Sequence, residues 1–436
     1  MKLSKYIVQI PDMNNESILW FNTLSRSYFS LSARLSERIS HVLQTEEFDA
    51  LPEEFFNRLS QYKFIIDDDV DELEVIREAH RKASNSSKYT VQLLPTLNCN
   101  YNCWYCIQDH IPTLMSEEVM DKVLTHIEEQ LKREEIKELR IEWFGGEPLM
   151  FVEQTVFPFS ERLKTLCDSV GKSFTQGVTS NAYFLTEDVS KVLAQYNFDH
   201  FQITLDGNKE NHDKVKFQKG LDSAFDRALE HIVKLLVNVP QMLVTLRINY
   251  TYDSLTNEIV NQVCEAIPME YRRRVTILPK KVWQEKPDET KRTSFEYIWD
   301  AFEEAGFYVR RNALIFGFKS CYTNDSSFVT INYNGSVLKC TACDDMYTKE
   351  GLGKLSDKGV ITWNDNRGTD YDQPTFEMDE CLKCVYLPLC MGVCPRDLVK
   401  NNLRCRIKLS DQSFDKEILA YVHEDKILRE RARTDQ

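Results

Sequence analysis

The sequence predicts an α/β protein built on a partial (β/α)6 barrel, flanked by a small N-terminal α+β module and a C-terminal cysteine-rich domain. Three observations carry this. From Tyr89 onward, short runs rich in branched residues alternate six times with helical windows of crossover length. Before Tyr89 the pattern is different and holds no cysteine, and after about residue 315 the alternation stops and Gly, Cys and turn signals take over. The expected boundaries are 1–88, 89–314 and 315–436.

In chain order, 6–10 and 17–22 read as short strands, and 27–43 and 51–67 as amphipathic helices. The acidic, Ser-rich stretch 67–87 reads as a linker. The barrel strands are then expected at 89–97, 138–144, 173–181, 198–206, 242–251 and 273–279. Helices with apolar spacing of three and four are expected at 116–133, 154–170, 186–196, 223–238 and 254–267. Strands alternating with crossover helices imply a parallel sheet whose functional residues sit at the carboxyl ends of strands. Six units fall short of the eight that close a full barrel.

Composition narrows the function. A chain of 436 residues with 42% hydrophobic and 28% charged residues is that of an ordered globular protein. A net charge of −14 argues against nucleic acid and anionic membrane as partners. No apolar run reaches the ~18–20 residues of a spanning helix, and the opening MKLSKYIVQIPDMN is a poor signal peptide, so the expected location is cytoplasmic. The 13 cysteines are placed unevenly: three lie within 99–106, eight within 321–405, and Cys167 and Cys264 stand alone as small buried apolar residues. In a reducing compartment such clusters point to metal or redox chemistry.

Cys99, Cys103 and Cys106 form CxxxCxxC on a loop just past the first barrel strand. Three thiols leave one iron of a [4Fe–4S] cube open to an outside ligand, whereas four would close it. His110 offers the alternative of completing a zinc site. The spacing, with Tyr105 just before the third cysteine, resembles the radical S-adenosylmethionine enzymes, and WFGGEP at 143–148 matches that family's GGEP motif. The resemblance implies that Gly145, Gly146 and Glu147 hold the cofactor's methionine amino group. Glycines permit close main-chain approach, and a carboxylate complements an ammonium. It further implies that Ser180 and Asn181 line the ribose, that Thr204 and Asp206 contact ribose and carboxylate on the fourth strand, and that Arg247 and Asn249 close the fifth. The usual HDxxR appears as His212-Asp213-Lys214-Val215-Lys216. Lysine keeps the charge but gives up the two-pronged fork of arginine.

The second group, Cys321, Cys340, Cys381, Cys384, Cys390, Cys394 and Cys405, resembles the SPASM extension of a subset of these enzymes, which binds two further [4Fe–4S] clusters. Carried over by position, Cys321, Cys340 and Cys394 hold one cluster, and Cys381, Cys384, Cys390 and Cys405 hold the other. Either Cys343 fills the first cluster's vacancy or its fourth iron is open to substrate. A zinc ribbon on Cys340-x2-Cys343 and Cys381-x2-Cys384 is the bland alternative, and it leaves the other four cysteines idle. The N-terminal module resembles the winged-helix-like leader-recognition domain of enzymes that modify ribosomally made peptides. Such a domain binds peptide by strand addition.

The resemblance thus implies an enzyme with S-adenosylmethionine and three [4Fe–4S] clusters. It would generate a 5′-deoxyadenosyl radical and oxidise or cross-link a precursor peptide, drawing electrons from a flavodoxin or ferredoxin. The rivals are an anaerobic sulfatase-maturing, formylglycine-generating enzyme and a zinc-stabilised binding protein.

Overall fold

A computed structural model describes residues 1–11, 16–285, 295–311, 317–319, 321–342, 347, 351–364, 374–394, 405 and 414–434. Cys343 lies outside them. Backbone packing gathers the chain into two compact units, one of residues 1–86, 311–326 and 369–436, the other of 87–310 and 327–368. The stretch expected as a single C-terminal domain is thus divided between the two.

The first unit starts with β1 (Lys2–Leu3), β2 (Ile7–Pro11), β3 (Ser17–Asn22) and β4 (Tyr28–Ser32), followed by α1 (Ala33–Gln44), α2 (Glu53–Gln61), β5 (Ile65–Ile66) and α3 (Glu72–Ser84). The strands β2, β3 and β4 make an antiparallel sheet in that order, with β3 at its centre. Trp20, on β3, packs with Ile39, Leu43 and Leu59 of the two helices. Two expectations fail here. Residues 27–43 are not one helix, because alternation along Tyr28–Ser32 pairs them with β3 before α1 begins. The supposed linker is a helix: the Asp71 carboxylate caps it by accepting from the amides of Leu73 and Glu74, and Ile76 is its one fully buried residue. A helix that buries so little shows almost no apolar period in its sequence.

The second unit holds β6 (Lys88–Leu94), α4 (Glu117–Leu131), β7 (Glu138–Trp143), α5 (Phe157–Val170), β8 (Ser173–Ser180), α6 (Glu187–Leu193), β9 (Phe198–Asp206), α7 (Lys209–Val215), α8 (Ala224–Asn238), β10 (Leu243–Tyr250), α9 (Glu258–Ala266), α10 (Met269–Arg272), β11 (Val275–Lys281), α11 (Glu296–Glu304) and β12 (Tyr308–Val309). All six expected barrel strands form, and they run parallel in consecutive order from β6 to β11. Ser116, Thr186 and Ser223 cap α4, α6 and α8, and the apolar faces of these helices cover the sheet's outer side in one continuous core. Along β6 and β7 buried and half-exposed residues alternate. Parallel strands are ordinarily buried on both faces; the half-exposed inner face marks a barrel that stays open inside.

The sheet does not stop at the expected boundary. β13 (Phe328–Asn332) adds parallel to β6, and β14 (Ser336–Leu338), β15 (Gly353–Leu355) and β16 (Ile361–Trp363) follow antiparallel, giving eleven strands. Every residue of β13 is buried, so FVTIN has no alternation to betray it. The chain returns to the first unit with α12 (Asp379–Leu382), α13 (Leu387–Cys390) and α14 (Phe414–Thr434). Phe414, Ile418 and Val422 of α14 pack on Ile10, Leu19 and Phe21 of the three-stranded sheet.

Candidate active site

At the carboxyl ends of β6 to β10 a cavity of about 340 Å³ opens, within the range of small-molecule sites. Its walls bring together Cys99, Cys103, Cys106, Tyr105, Gly145, Gly146, Ser180, Asn181, Thr204, Lys216 and Arg247. The sequence separates the first and last of these by almost 150 residues; the strand-end rule unites them.

The cysteine loop is fixed by main chain. The amide of Gly146 donates to Thr96 O at 3.0 Å and that of Glu147 to Asn98 O at 2.8 Å, which holds the β7 turn against the residues leading to Cys99. A Cβ on Gly145 would stand 2.3 Å from Thr96 O, and one on Gly146 2.0 Å from Asn98 O. Gly145 also has φ +122°. Only glycines allow this approach.

Glu147 is fully buried and is not part of the cavity wall. Its carboxylate accepts from Ser180 Oγ (2.9 Å), Asn181 N (2.8 Å) and Leu149 N (3.0 Å), tying the end of β7 to the end of β8. Burial pushes its pKa up to about 7 against the pull of these donors. The side chain supports the wall, while the main chain of Gly145 and Gly146 faces the cavity. Asn181, held in this way, reaches Asn100 Oδ1 at 2.9 Å and Cys99 Sγ at 3.8 Å.

Asp206 likewise stands behind the cavity. Its carboxylate accepts from Lys216 Nζ and Tyr105 Oη, and both Asp206 and Lys216 side chains are 3% exposed. Burial works against the Asp206 carboxylate, yet the Lys216 ammonium, with hydrogen bonds from Lys216 and Tyr105, holds it below its usual range. The Lys216 ammonium is held above its own range, the Asp206 charge outweighing burial. His212 accepts the Asp206 amide at Nδ1 (3.0 Å), and burial, with Lys216 next, pushes its pKa down to about 3. It is therefore neutral, with its proton on Nε2. The lysine replacing the arginine of HDxxR thus faces the cavity with its charge neutralised from behind. Arg247 donates from Nε to Asn249 Oδ1 at 2.9 Å.

The three thiols suit an iron cluster. Burial raises all three, Cys99 to about 12, so as bare thiols they stay protonated in a half-buried pocket, and a cationic cluster is what would stabilise their thiolates. His110, the fourth zinc ligand that the sequence offers, contacts Cys106 Sγ through Nε2 at 3.4 Å.

Of the second group, Cys321, Cys381, Cys384, Cys390, Cys394 and Cys405 lie in the first unit and Cys340 in the second. Cys381, Cys384 and Cys405 lie within electrostatic reach of one another, and burial raises Cys381 and Cys384. Cys390 Sγ donates to Gly392 O at 3.4 Å.

Sequence reading missed Thr179, Gln202 and Trp283, which also line the cavity. Period two would have found the first two, since Thr179 shares a strand face with Asn181 and Gln202 with Thr204.

Comparison with known proteins reaches the same stretch. The sequence pattern of the radical SAM superfamily matches residues 93–252. The radical SAM cyclopropyl synthase TigE of Paramaledivibacter caminithermalis is 22% identical over 435 residues, spanning 88% of this chain and 83% of that protein. Among solved structures, native anSMEcpe with bound AdoMet superposes with a TM-score of 0.51 at 16% identity, covering 78% of this chain and 98% of its own. SuiB of Streptococcus suis bound to its precursor peptide SuiA gives a TM-score of 0.49 at 13% identity, covering 92% and 96%. The pattern begins within β6, ends just past β10 and encloses the strand ends that build the cavity, so residues 93–252, which carry Cys99, Cys103 and Cys106, are the stretch that matches the radical SAM superfamily.

Proposed function

We propose that this protein is a peptide-modifying radical enzyme, with S-adenosylmethionine and a [4Fe–4S] cluster in the barrel cavity and auxiliary clusters on the later cysteines. The observation that carries the reading is the single cavity joining three thiols to Gly145, Asn181, Thr204, Lys216 and Arg247. Cys99, Cys103 and Cys106 would hold the cluster. Bound there, S-adenosylmethionine and a reduced cluster would supply radical chemistry able to take a hydrogen atom from the peptide, and auxiliary clusters on the later cysteines would offer a place for the surplus electron.

The chain's own residues position this chemistry. The main chain of Gly145 and Gly146 offers polar groups where no side chain intrudes. Arg247 presents positive charge to a carboxylate, while the Lys216 charge beside it is already paired with Asp206. Peptide as substrate is supported by a structural relative: anSMEcpe is known with AdoMet and Cp18Cys or Kp18Cys peptide. In the first unit, β2 and β4 are the sheet's edges. Pro11 removes a donor from β2, so β4 is the better edge for an added leader strand.

The test is anaerobic reconstitution followed by reaction with a precursor peptide encoded beside the gene. About four irons per cluster, release of 5′-deoxyadenosine and loss of two mass units from the peptide are expected. Reduced, iron-loaded protein that never releases 5′-deoxyadenosine overturns the reading. One or two zincs with no brown colour would do the same.

A further inference from the structure

The loop that carries Cys384 is gripped by the first residues of the chain. Lys5 Nζ donates to Leu382 O at 2.5 Å, and Thr23 Oγ1 donates to Val385 O at 2.6 Å, so the carbonyls on either side of Lys383 and Cys384 are held at once. Thr23 is in turn fixed to Tyr6, its amide reaching Tyr6 O at 2.7 Å. Tyr6 is 1% exposed and packs with Ile76, Leu387 and Met391, with Cys381 against the same cluster.

The Tyr6 hydroxyl is the odd member. Its oxygen is buried and has no hydrogen-bond partner among the described residues. A buried polar group left unpaired costs about 1–3 kcal/mol, and a native fold that keeps one generally has an acceptor in view. Tyr6 packs in the cluster that Cys381 joins, and the Lys5 ammonium is bonded to the carbonyl two residues before Cys384. Potentials of iron–sulfur clusters are set by nearby charge and by hydrogen bonds to their sulfurs.

We propose that Lys5 and Tyr6 are positioning residues for the auxiliary cluster of Cys381, Cys384 and Cys405, the Tyr6 hydroxyl donating to its sulfur shell and the Lys5 charge raising its reduction potential. The inference rests on the auxiliary-cluster reading above. It gives residues 1–86 a second duty: the module whose sheet begins at Ile7 also sets the ease with which the electron acceptor is reduced.

The experiment uses the full chain with Cys99→Ala, Cys103→Ala and Cys106→Ala, so that every spectroscopic signal comes from the later cysteines. Tyr6→Phe, Lys5→Gln and Lys5→Arg are added singly, iron is counted, and each protein is titrated anaerobically under electron paramagnetic resonance. Iron should be unchanged. At the parent's midpoint, Tyr6→Phe and Lys5→Gln should each move the ratio of oxidised to reduced cluster about tenfold towards oxidised, equivalent to 59 mV for one electron. Lys5→Arg should stay at the parent value. Full iron with unmoved midpoints in both variants overturns the inference alone. A parent without iron overturns the auxiliary-cluster reading and this inference with it. Should Tyr6→Phe shed iron, Lys5→Gln decides, because Lys5 is exposed and its loss leaves the packing intact.

Discussion

Cys99, Cys103 and Cys106 ride on a loop fixed by main-chain bonds between adjoining strand ends, whereas Cys381 sits on a four-residue helix and Cys384 two residues past its end, held by side chains from far earlier in the chain. In the barrel, glycines and two buried carboxylates, Glu147 and Asp206, shape the site before any cofactor arrives. Around Cys381 the sheet is met only through Leu389 of the next helix, and Lys5, Tyr6 and Thr23 supply further ties. Short helices with little core lean on bound metal for stability. The two regions should therefore respond differently to the same insult: the barrel site loses chemistry and keeps its fold, and the later cysteine region loses fold along with its metal.

The largest effect tests that contrast directly. Cys103→Ala is expected to remove about four irons and abolish 5′-deoxyadenosine release, with the far-ultraviolet circular dichroism unchanged. Cys384→Ala should cost iron too, but with a thermal midpoint lowered by several degrees and faster proteolysis of the later region. Equal midpoints in the two variants would break the comparison.

Next comes the buried pair. Asp206→Asn leaves the Lys216 ammonium uncompensated in a site where both side chains are 3% exposed. Removing one partner of such a pair costs about 3–5 kcal/mol, to be read in denaturant unfolding. The folded Asp206 carboxyl titrates below its usual range, so this stability is present above the unfolded value and lost only as pH falls through the lower folded one. Lys216→Met with Asp206→Asn should recover most of the loss.

Glu147 has the opposite sign. Its folded pKa is raised to about 7, so its contribution is fully present below the unfolded value of about 4.5 and is lost as pH rises through 7. The loss is about 3 kcal/mol at 1.36 kcal/mol per unit. Neutral His212, with its pKa pushed down to about 3, makes stability rise with pH up to about 6.5 and opposes this slope. Unfolding titrations between pH 4.5 and 8 should therefore show stability rising more with pH in Glu147→Gln than in the parent, the difference between the two curves being the Glu147 contribution.

The strands and the site were legible in the sequence for one reason and illegible for another. Half-exposed strands such as Glu138–Trp143 alternate and reveal themselves, and polar residues at their ends follow the strand-end rule to the cavity. Phe328–Asn332, buried on both faces, has no period, so the sheet's continuation past residue 315 went unseen. Spacing also cannot say which way a carboxylate turns: Glu147 reads as a ligand because it follows two glycines, yet its oxygens are taken by Ser180, Asn181 and Leu149. The tie between residues 5–23 and the Cys384 loop spans more than 350 positions and carries no motif.

The smallest effect probes how rigid the barrel's frame is, by comparing two glycines of the same sheet. A Cβ at Gly146 would lie 2.0 Å from Asn98 O and 2.5 Å from its carbonyl carbon, both backbone. Relief requires moving the turn that leads into Cys99, so Gly146→Ala should cost about 1–3 kcal/mol, as overpacking does, and slow iron uptake. At Gly177 the clash is looser, 2.5 Å to Glu142 Oε2 and 2.6 Å to Arg140 Nη2, and these are the far ends of flexible side chains. Both tips can swing aside at the expense of the partly exposed ion pair between them, so Gly177→Ala should cost about 1 kcal/mol or less. A difference in thermal midpoint between the two alanine variants, with reconstitution impaired only in Gly146→Ala, would locate the stiffness in the main-chain turn beside the cysteine loop. Equal shifts would mean that the sheet yields everywhere alike and that the turn has no special hold on Cys99.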